Sequence, residues 1–283
     1  MNNKDIVAKR GNVTSQYGED GVIHFLAEVL GSDVRKVCCE VGAGDGKTFS
    51  NVYSLWKKKG WDALLIEGAG GRFAGLLSEC AGFANAHPVN EKIAATGKQS
   101  IESIAKRHGL SLDDGLLVVD IDSFDYHVIN NIGGMRPAIC VVEFNNSIPP
   151  WIDYWDPEGT VFLRHSLKAL CRAAKRHHYQ LVASTITNGI FVREDLAAKH
   201  GIQPCEPEDA YLYSEQSANR SMWGATVASQ LVTSFPVFLN KPNALDRAYF
   251  RFRGWLRAKT GKEPYLRPSA AVLTRLAEAG LHI

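Results

Sequence analysis

The chain contains 283 residues, more than the ~100–200 residues of one typical domain, which predicts one main domain with an appendage. Its composition is that of an ordinary folded protein, with 45% hydrophobic and 22% charged residues. The 32 basic residues nearly balance the 30 acidic residues. These values exclude a disordered chain and a globally polybasic nucleic-acid-binding protein, so we expect no nucleic-acid partner.

Two further features of the composition concern the cellular compartment. The sequence has no run of the ~18 apolar residues that a transmembrane helix needs, and its first residues, MNNKDIVAKRGN, lack the apolar core of a signal peptide. The six cysteines form no CxxC pair, and Cys38, Cys39 and Cys140 lie in strongly apolar segments. We therefore expect a cytoplasmic protein with reduced, buried thiols rather than disulfides or a zinc site.

The predicted elements fall into three parts of the chain. Residues 1–34 contain a polar entry at 15–20 and an amphipathic helix at 21–30, which together predict a helical cover. From 35 to 195, short apolar runs alternate with amphipathic stretches of helical length, as in β-α units. The predicted strands are 37–41, 63–67, 84–89, 116–121, 139–144, 180–185 and 189–192, and the predicted helices between them are 50–59, 71–80, 99–108, 126–132 and 163–178.

This alternation predicts an α/β fold, a three-layer Rossmann-like sandwich. Its mostly parallel seven-stranded sheet should end in an antiparallel hairpin, because a turn at Thr187-Asn188 separates the last two runs.

The β-α alternation stops near residue 196, so residues 196–283 are predicted to be a C-terminal extension that serves docking, dimerisation or acceptor recognition. Segment 244–259 combines basic and aromatic side chains. They are Arg247, Arg251, Arg253, Arg257, Lys259, Tyr249, Phe250, Phe252 and Trp255. Two interpretations stay open: a docked or dimer-forming segment, which would make a homo-oligomer, and peripheral contact with a membrane or glycolipid.

A glycine-rich loop follows the first predicted strand of the sheet. Glu40 ends that strand, and Gly42, Gly44 and Gly46 follow at alternate positions. A phosphate-binding GxxxxGK[ST] loop does not match, because its first glycine would fall on Val41. The dinucleotide motif GxGxxG does not match either, because the third glycine comes one residue early, which disfavours a nucleotide-sugar epimerase or dehydrogenase.

With its acidic strand end, this loop resembles the first motif of class I S-adenosylmethionine-dependent methyltransferases. The resemblance implies that the cofactor is S-adenosyl-L-methionine, that the glycines cradle it, and that Glu40 orients its cationic methionine end. It also implies that an acidic residue ending the next strand accepts hydrogen bonds from the ribose hydroxyls. Glu67, 27 residues after Glu40, stands at that place.

Further segments resemble the FkbM-type methyltransferases over about residues 13–195. They are Ser15-Gln16-Tyr17-Gly18-Glu19-Asp20, the glycine loop, Ser50-Asn51, Gly60-Trp61, Asp120-Ile121-Asp122 and Val142-Glu143-Phe144-Asn145. This likeness implies that Gln16, Ser50, Asn51 and Asp120 also bind the cofactor. Many such enzymes act on oxygen atoms of sugars and polyketides, so a small-molecule or glycan acceptor is expected. The chain departs from the family pattern at Val52, where threonine is usual, and at Ser123, where glycine is usual.

Acidic side chains follow two neighbouring predicted strands and should share the crevice with the glycine loop. We predict that a carboxylate or histidine among Asp122, His127 and Glu143 removes the proton of an acceptor hydroxyl. Alternatively, Asp122, Glu143 and Asn145 resemble the acidic set that holds Mg²⁺ in metal-dependent O-methyltransferases, and oxygen ligands suit that ion. A purely positioning role for these side chains also stays open.

The loop after the fifth strand contains Trp151, Tyr154 and Trp155, which either stack on a sugar face or pack within the protein. The sequence as a whole predicts an S-adenosylmethionine-dependent O-methyltransferase that acts on a sugar hydroxyl. The alternative is a non-catalytic module that keeps the cofactor pocket as a scaffold or regulator.

Overall fold

The structure is a computed structural model, and it describes residues 1–122, 124–146, 148, 150–160 and 164–212. The basic aromatic segment 244–259 and most of the predicted C-terminal extension lie outside these residues, as does Ser123.

One seven-stranded sheet forms the centre of the fold. Its strands are β1 (Val37–Val41), β2 (Asp62–Ile66), β3 (Ala86–Val89), β4 (Leu116–Val119), β5 (Ile139–Glu143), β6 (Tyr179–Ser184) and β7 (Asn188–Arg193). They lie in the order β3-β2-β1-β4-β5-β7-β6. β1 to β5 are parallel, whereas β7 is antiparallel to both β5 and β6. The seven predicted strands and the terminal hairpin are therefore confirmed.

Helices precede, connect and follow these strands. They are α1 (Asn3–Val7), α2 (Glu19–Leu30), α3 (Tyr53–Lys59), α4 (Gly70–Cys80), α5 (Ile101–Arg107), α6 (Asp125–Asn130), α7 (Leu167–Lys175), α8 (Glu194–Lys199) and α9 (Pro207–Ala210). α7 begins four residues later than predicted, because the Ser166 side chain caps it by accepting a hydrogen bond from the Ala169 amide. α3 begins three residues later than predicted, because residues 50–51 are held by Glu40 instead.

Alternate residues of each central strand enter two separate cores, one on each face of the sheet. In β1, Val37, Cys39 and Val41 contribute to one core and Cys38 to the other. The first core also contains side chains of α5, α6 and α7, and the second contains side chains of α1, α2 and α3. The predicted three-layer α/β sandwich is confirmed, and the N-terminal helices are part of its second helical layer.

The cysteines in the apolar segments, Cys38, Cys39 and Cys140, are buried as predicted. All six cysteines are free, and Cys80 is buried as well. In the part of the chain that the structure describes, no helix combines the length and apolar character that crossing a bilayer demands.

The strand order determines where a ligand can bind. The chain runs outward from β1 through β2 to β3, and then returns to the other side of β1 with β4. The connections after β1 and β4 therefore leave the sheet on opposite sides, which opens a crevice beyond their carboxyl ends. The glycine loop after β1 and the acidic residues after β4 both lie at this point.

Candidate functional site

A cavity of about 440 Å³ lies beyond the carboxyl ends of β1, β2 and β4. This volume falls within the range of ligand pockets, roughly 300–1,000 Å³. Seven of the residues predicted to bind the cofactor line it. They are Glu40, Gly42, Gly44, Ser50, Asn51, Glu67 and Asp120. Residues that are far apart in the sequence therefore meet in one cavity, as the resemblance implied.

The glycine loop comes close to the neighbouring strand end at Gly42. Gly42 has a φ of +87°, and a Cβ built on it would lie 1.8 Å from the carbonyl oxygen of Asp120. Only glycine fits that backbone conformation and that approach. Gly46 has a different role from the predicted one, because it does not line the cavity and a Cβ there would meet Leu76 on α4 at 2.7 Å. Gly46 therefore serves the packing of the loop against α4.

Glu40 lies at the inner end of the cavity with only 3% of its surface exposed. Its Oε2 accepts a hydrogen bond from Ser50 Oγ at 2.6 Å, and its Oε1 accepts one from the Asn51 amide at 2.7 Å. Burial raises the pKa of this carboxyl to about 7, against these two hydrogen bonds, which lower it. The Glu40 side chain thus fixes the positions of residues 50 and 51, and its own carboxyl group titrates near neutral pH.

Glu67 connects the end of β2 to the glycine loop. It is buried, its Oε2 accepts a hydrogen bond from the Gly44 amide at 2.9 Å, and its Oε1 accepts one from the Ala69 amide at 2.6 Å. A carboxylate offers about four lone-pair positions, so each oxygen retains one for a ligand donor. The carboxylate is therefore held in place and can still accept two further hydrogen bonds from a diol.

The segment at residues 13–20, which includes the polar entry at 15–20, approaches this site through its backbone. The buried Asp20 Oδ2 accepts hydrogen bonds from the amides of Val13, Thr14 and Ser15, each at 2.8 Å. Thr14 Oγ1 then donates to the Ser50 carbonyl at 2.9 Å. Gln16, by contrast, is exposed and does not line the cavity, so within this segment it is Thr14 that contacts a cavity-lining residue.

Carboxyl groups gather beyond β4 and β5. Asp120 lines the cavity and is hydrogen-bonded to Glu143, and Arg164 forms ion pairs with both Glu143 (2.9 Å) and Asp122. Burial raises the pKa of Asp120 above its ordinary value, and the charge of Asp122 adds to this effect. Burial and the adjacent Asp120 carboxylate also raise the pKa of Glu143. Both carboxyl groups therefore ionise at a higher pH than ordinary aspartate and glutamate side chains do.

The predicted magnesium ligands do not fit that ion in this arrangement. Asp122 and Glu143 are both neutralised by the Arg164 guanidinium, which lies between them. The backbone N–H of Asn145, two residues after Glu143, donates to the His165 carbonyl at 2.9 Å. Within the described ranges, no group of three or more His, Cys, Asp or Glu side chains is placed to hold a metal.

His127 and the aromatic loop also differ from expectation. His127 does not line the cavity, and its Nε2 is hydrogen-bonded to the Asp156 carbonyl at 2.9 Å. Tyr154 is fully buried, and Trp155 stacks on Tyr126 with ring centroids 4.7 Å apart. Of the three aromatic side chains considered for sugar stacking, two therefore pack within the protein, and Trp151 remains 45% exposed.

The structure adds residues that the motifs did not identify. Phe49, Phe124, Arg72 and Lys92 line the cavity, and Arg164 joins the acidic pair from a loop before α7. Phe49 lies three residues after Gly46, so its closeness to the glycine loop along the chain was the one available signal that it lines the cavity. Arg164 belongs to no recognised motif. It reaches the acidic residues because the chain returns across this edge of the sheet before it enters α7 and β6.

No protein-family model matches this chain, and no curated protein matches it. Solved structures that resemble it include the methyltransferase (CMeT) domain of a citrinin polyketide synthase, with 10% identity and a TM-score of 0.43 over 62% of this chain and 51% of that one. A mitomycin 7-O-methyltransferase has 9% identity and a TM-score of 0.36 over 61% of this chain and 54% of that one. An S-adenosylmethionine-dependent methyltransferase from Aquifex aeolicus has 9% identity and a TM-score of 0.37 over 68% of this chain and 98% of that one. The chain spans about half the length of the first two proteins.

Proposed function

We propose that this chain is an S-adenosylmethionine-dependent methyltransferase that methylates a hydroxyl oxygen of a sugar-containing acceptor, such as a glycan, a nucleotide-sugar or a related natural product. One observation carries the proposal. The glycine loop lies between two buried strand-end carboxylates, Glu40 and Glu67, in the wall of a single ligand-sized cavity. The FkbM-type resemblance supports the choice of a sugar hydroxyl.

The residues present fit the cofactor. Glu67 has free lone-pair positions for the two ribose hydroxyls and is already oriented by backbone amides. Glu40 supplies negative charge beside the position expected for the methionine ammonium. Asn51 lines the cavity, and its buried Oδ1 accepts no hydrogen bond from any described residue, which leaves an acceptor for that ammonium. Gly44 lines the cavity, and a Cβ built on it would meet no atom within 4 Å, so this glycine leaves open space for a ligand.

When bound, S-adenosylmethionine supplies a methyl group on a sulfonium sulfur. The chain must align the acceptor oxygen with that methyl group and take the hydroxyl proton. Asp120 lines the cavity and is hydrogen-bonded to Glu143, and burial raises the pKa of Asp120, which favours the acceptance of a proton. We assign proton acceptance to Asp120 instead of His127, because His127 lies outside the cavity wall. Glu143 positions Asp120 through their hydrogen bond, and the Arg164 guanidinium pairs with Glu143.

Cofactor binding is tested first, by calorimetry with S-adenosylhomocysteine. We expect wild-type protein to bind, and Glu67→Ala to bind at least about tenfold more weakly, because two hydrogen bonds to a charged acceptor are lost. Glu102→Ala is the matched control, since that carboxylate pairs with Lys106 outside the cavity. Absence of binding by the wild type, or equal binding by Glu67→Ala, would refute the assignment.

Turnover is tested separately. Wild-type protein incubated with S-adenosylmethionine and a set of sugars should yield a methylated product, detected by its mass. Asp120→Asn should bind S-adenosylhomocysteine normally and lose most of the turnover, whereas Glu143→Gln, which keeps a hydrogen-bond donor toward Asp120, should lose less. Cofactor binding with no product from any acceptor would support the non-catalytic module instead.

A further inference from the structure

Phe49 combines two properties that are unfavourable for a phenylalanine. It lines the cavity, yet 61% of its surface is exposed. Its φ is +61°, a left-handed conformation that phenylalanine rarely adopts. Single exposed apolar residues are common on protein surfaces and need no explanation. An exposed phenylalanine with a left-handed backbone in the wall of a ligand cavity differs from them, because strained residues concentrate at functional sites.

The strain at Phe49 is maintained by fixed neighbours on both sides. Before it, the Asp45 carboxylate accepts hydrogen bonds from the Lys47 amide (2.9 Å), the Thr48 amide (2.7 Å) and Thr48 Oγ1 (2.7 Å). After it, Ser50 Oγ donates to Glu40 at 2.6 Å, and the Ser50 carbonyl accepts from Thr14. The ring is therefore presented to the cavity by a loop that is held at both ends. Such preorganisation reduces the entropic cost of binding a ligand.

The position of Phe49 indicates which ligand it contacts. The nucleoside end of the cofactor belongs beside Glu67, at the end of β2, and the methionine end belongs beside Glu40. Phe49 directly precedes Ser50 at the methionine end and is exposed at the opening of the cavity, on the same loop that faces Asp120 across Gly42. The ligand that enters from outside and reaches Asp120 is the acceptor.

We propose that Phe49 is a specificity-determining contact that packs against the apolar face of a ring in the methyl acceptor, with the reactive hydroxyl at the edge of that ring. This inference rests on the proposed function and adds to it the side chain that recognises the ring of the acceptor. Rings with an apolar face include pyranose sugars, which present C–H bonds, and aromatic alcohols. Both pack well on an aromatic side chain. An open-chain or purely ionic acceptor would gain nothing from Phe49.

The test uses Phe49→Gly, because glycine removes the ring and favours the left-handed backbone at the same time. This variant should unfold at the same temperature as the wild type or higher, so a loss of binding cannot be explained by misfolding. Leu77→Ala, on α4 and outside the cavity wall, is the matched control for losing an exposed apolar side chain. Phe49→Tyr keeps the ring and should behave as the wild type does.

The probes are methyl β-D-glucopyranoside and catechol, each added to full-length protein saturated with S-adenosylhomocysteine and observed by saturation-transfer NMR. We expect ring protons of at least one probe to be saturated by the wild type, and its affinity to fall about tenfold in Phe49→Gly. Saturation of the glucoside alone assigns the ring to a sugar, and saturation of catechol alone assigns it to an aromatic alcohol.

Three results would overturn the inference: no saturation of either probe, equal probe binding by Phe49→Gly, or a loss of S-adenosylhomocysteine affinity in Phe49→Gly that accounts for the whole effect. The last result would make Phe49 a cofactor contact. Failure of the wild type to bind S-adenosylhomocysteine in calorimetry would refute the proposed function itself, and is therefore distinguishable from these outcomes.

Discussion

The buried carboxyl group of Glu40 makes a prediction that can be measured without knowing the acceptor. The perturbation is Glu40→Gln, which keeps the shape of the side chain and removes its charge. A glutamine at this position can still accept a hydrogen bond from the Asn51 amide, and its amide group can donate to Ser50 Oγ, because the serine hydroxyl can rotate. The substitution therefore changes the charge while preserving both contacts of the structure.

The expected effect on stability follows from the raised pKa of Glu40. An ordinary glutamate has a pKa of 4.5, whereas burial, together with the charges of Asp120 and Asp20, raises that of Glu40 to about 7 in the folded chain. Below pH ~4.5 the group is protonated in both the folded and unfolded states, and above about 7 it is charged in both. The free energy of unfolding therefore decreases by about 3 kcal/mol as the pH rises through this window. Glu40→Gln removes this loss, so it should be more stable than the wild type at pH 8.

Cofactor binding should change in the opposite direction. A positively charged ammonium near Glu40 favours the ionised carboxylate, so the wild type should bind S-adenosylhomocysteine several-fold more weakly at pH 6 than at pH 7.5. Glu40→Gln should bind weakly at both values and lose this dependence on pH. Urea unfolding of the free protein and calorimetry with S-adenosylhomocysteine measure the two effects.

The two measurements together discriminate between roles for Glu40. A purely structural group would give a variant that is less stable at pH 8 and has unchanged affinity, and that result would refute the reasoning. Increased stability combined with lost affinity is the signature of a charge that is kept in the site for its ligand at a cost to the fold.

Two further predictions concern the loop around the cavity. Gly42→Ala should lower the free energy of unfolding by about 3 kcal/mol or more, because its Cβ would overlap the Asp120 carbonyl. Gly60→Ala has open space around its Cβ and should lower the free energy of unfolding by only about 1 kcal/mol. Urea unfolding compares the two variants, and equal losses would contradict the close approach at Gly42. Thr14→Val should weaken S-adenosylhomocysteine binding by about 1 kcal/mol, because it removes the hydroxyl that donates to the Ser50 carbonyl. Thr14→Ser keeps that hydroxyl and should bind normally. An unchanged affinity of Thr14→Val in calorimetry would show that the N-terminal segment does not position the site.

The sheet could be predicted from the sequence because each strand is a short apolar run bounded by polar or glycine-rich segments. The ends of the strands were less predictable where a side chain accepts a backbone hydrogen bond that would otherwise extend the strand. The fourth strand was expected to reach residue 121, but β4 ends at Val119, and the Ile121 amide donates instead to Asp125 Oδ1 at 2.9 Å. Hydrophobicity alone does not reveal such a competing acceptor, since Ile121 is apolar.

The meeting of several predicted site residues in one cavity follows from the sequence for a related reason. Glu40, Gly42, Gly44 and Glu67 lie at the ends of neighbouring parallel strands, and such ends meet at one edge of the sheet. The position of Gln16 outside the cavity wall could not be predicted, because it depends on how the Asp20 carboxylate folds the segment before α2. That fold depends on three backbone amides, which carry no sequence signal.

The charged cluster beyond β4 and β5 depends on contacts that no local pattern encodes. Asp122 and Glu143 suggested a metal site from their residue type and strand-end position, but Arg164 comes from 21 residues beyond Glu143 and pairs with both. An arginine supplies positive charge without an open coordination position, so the same two carboxylates serve a different chemistry once it is present. The acidic residues thus indicated where charge gathers, and the arginine determined how Asp122 and Glu143 are paired beside the Asp120 carboxyl that lines the cavity. The arrangement of charge at this edge of the sheet therefore rests on one long-range contact that joins the loop before α7 to the ends of β4 and β5.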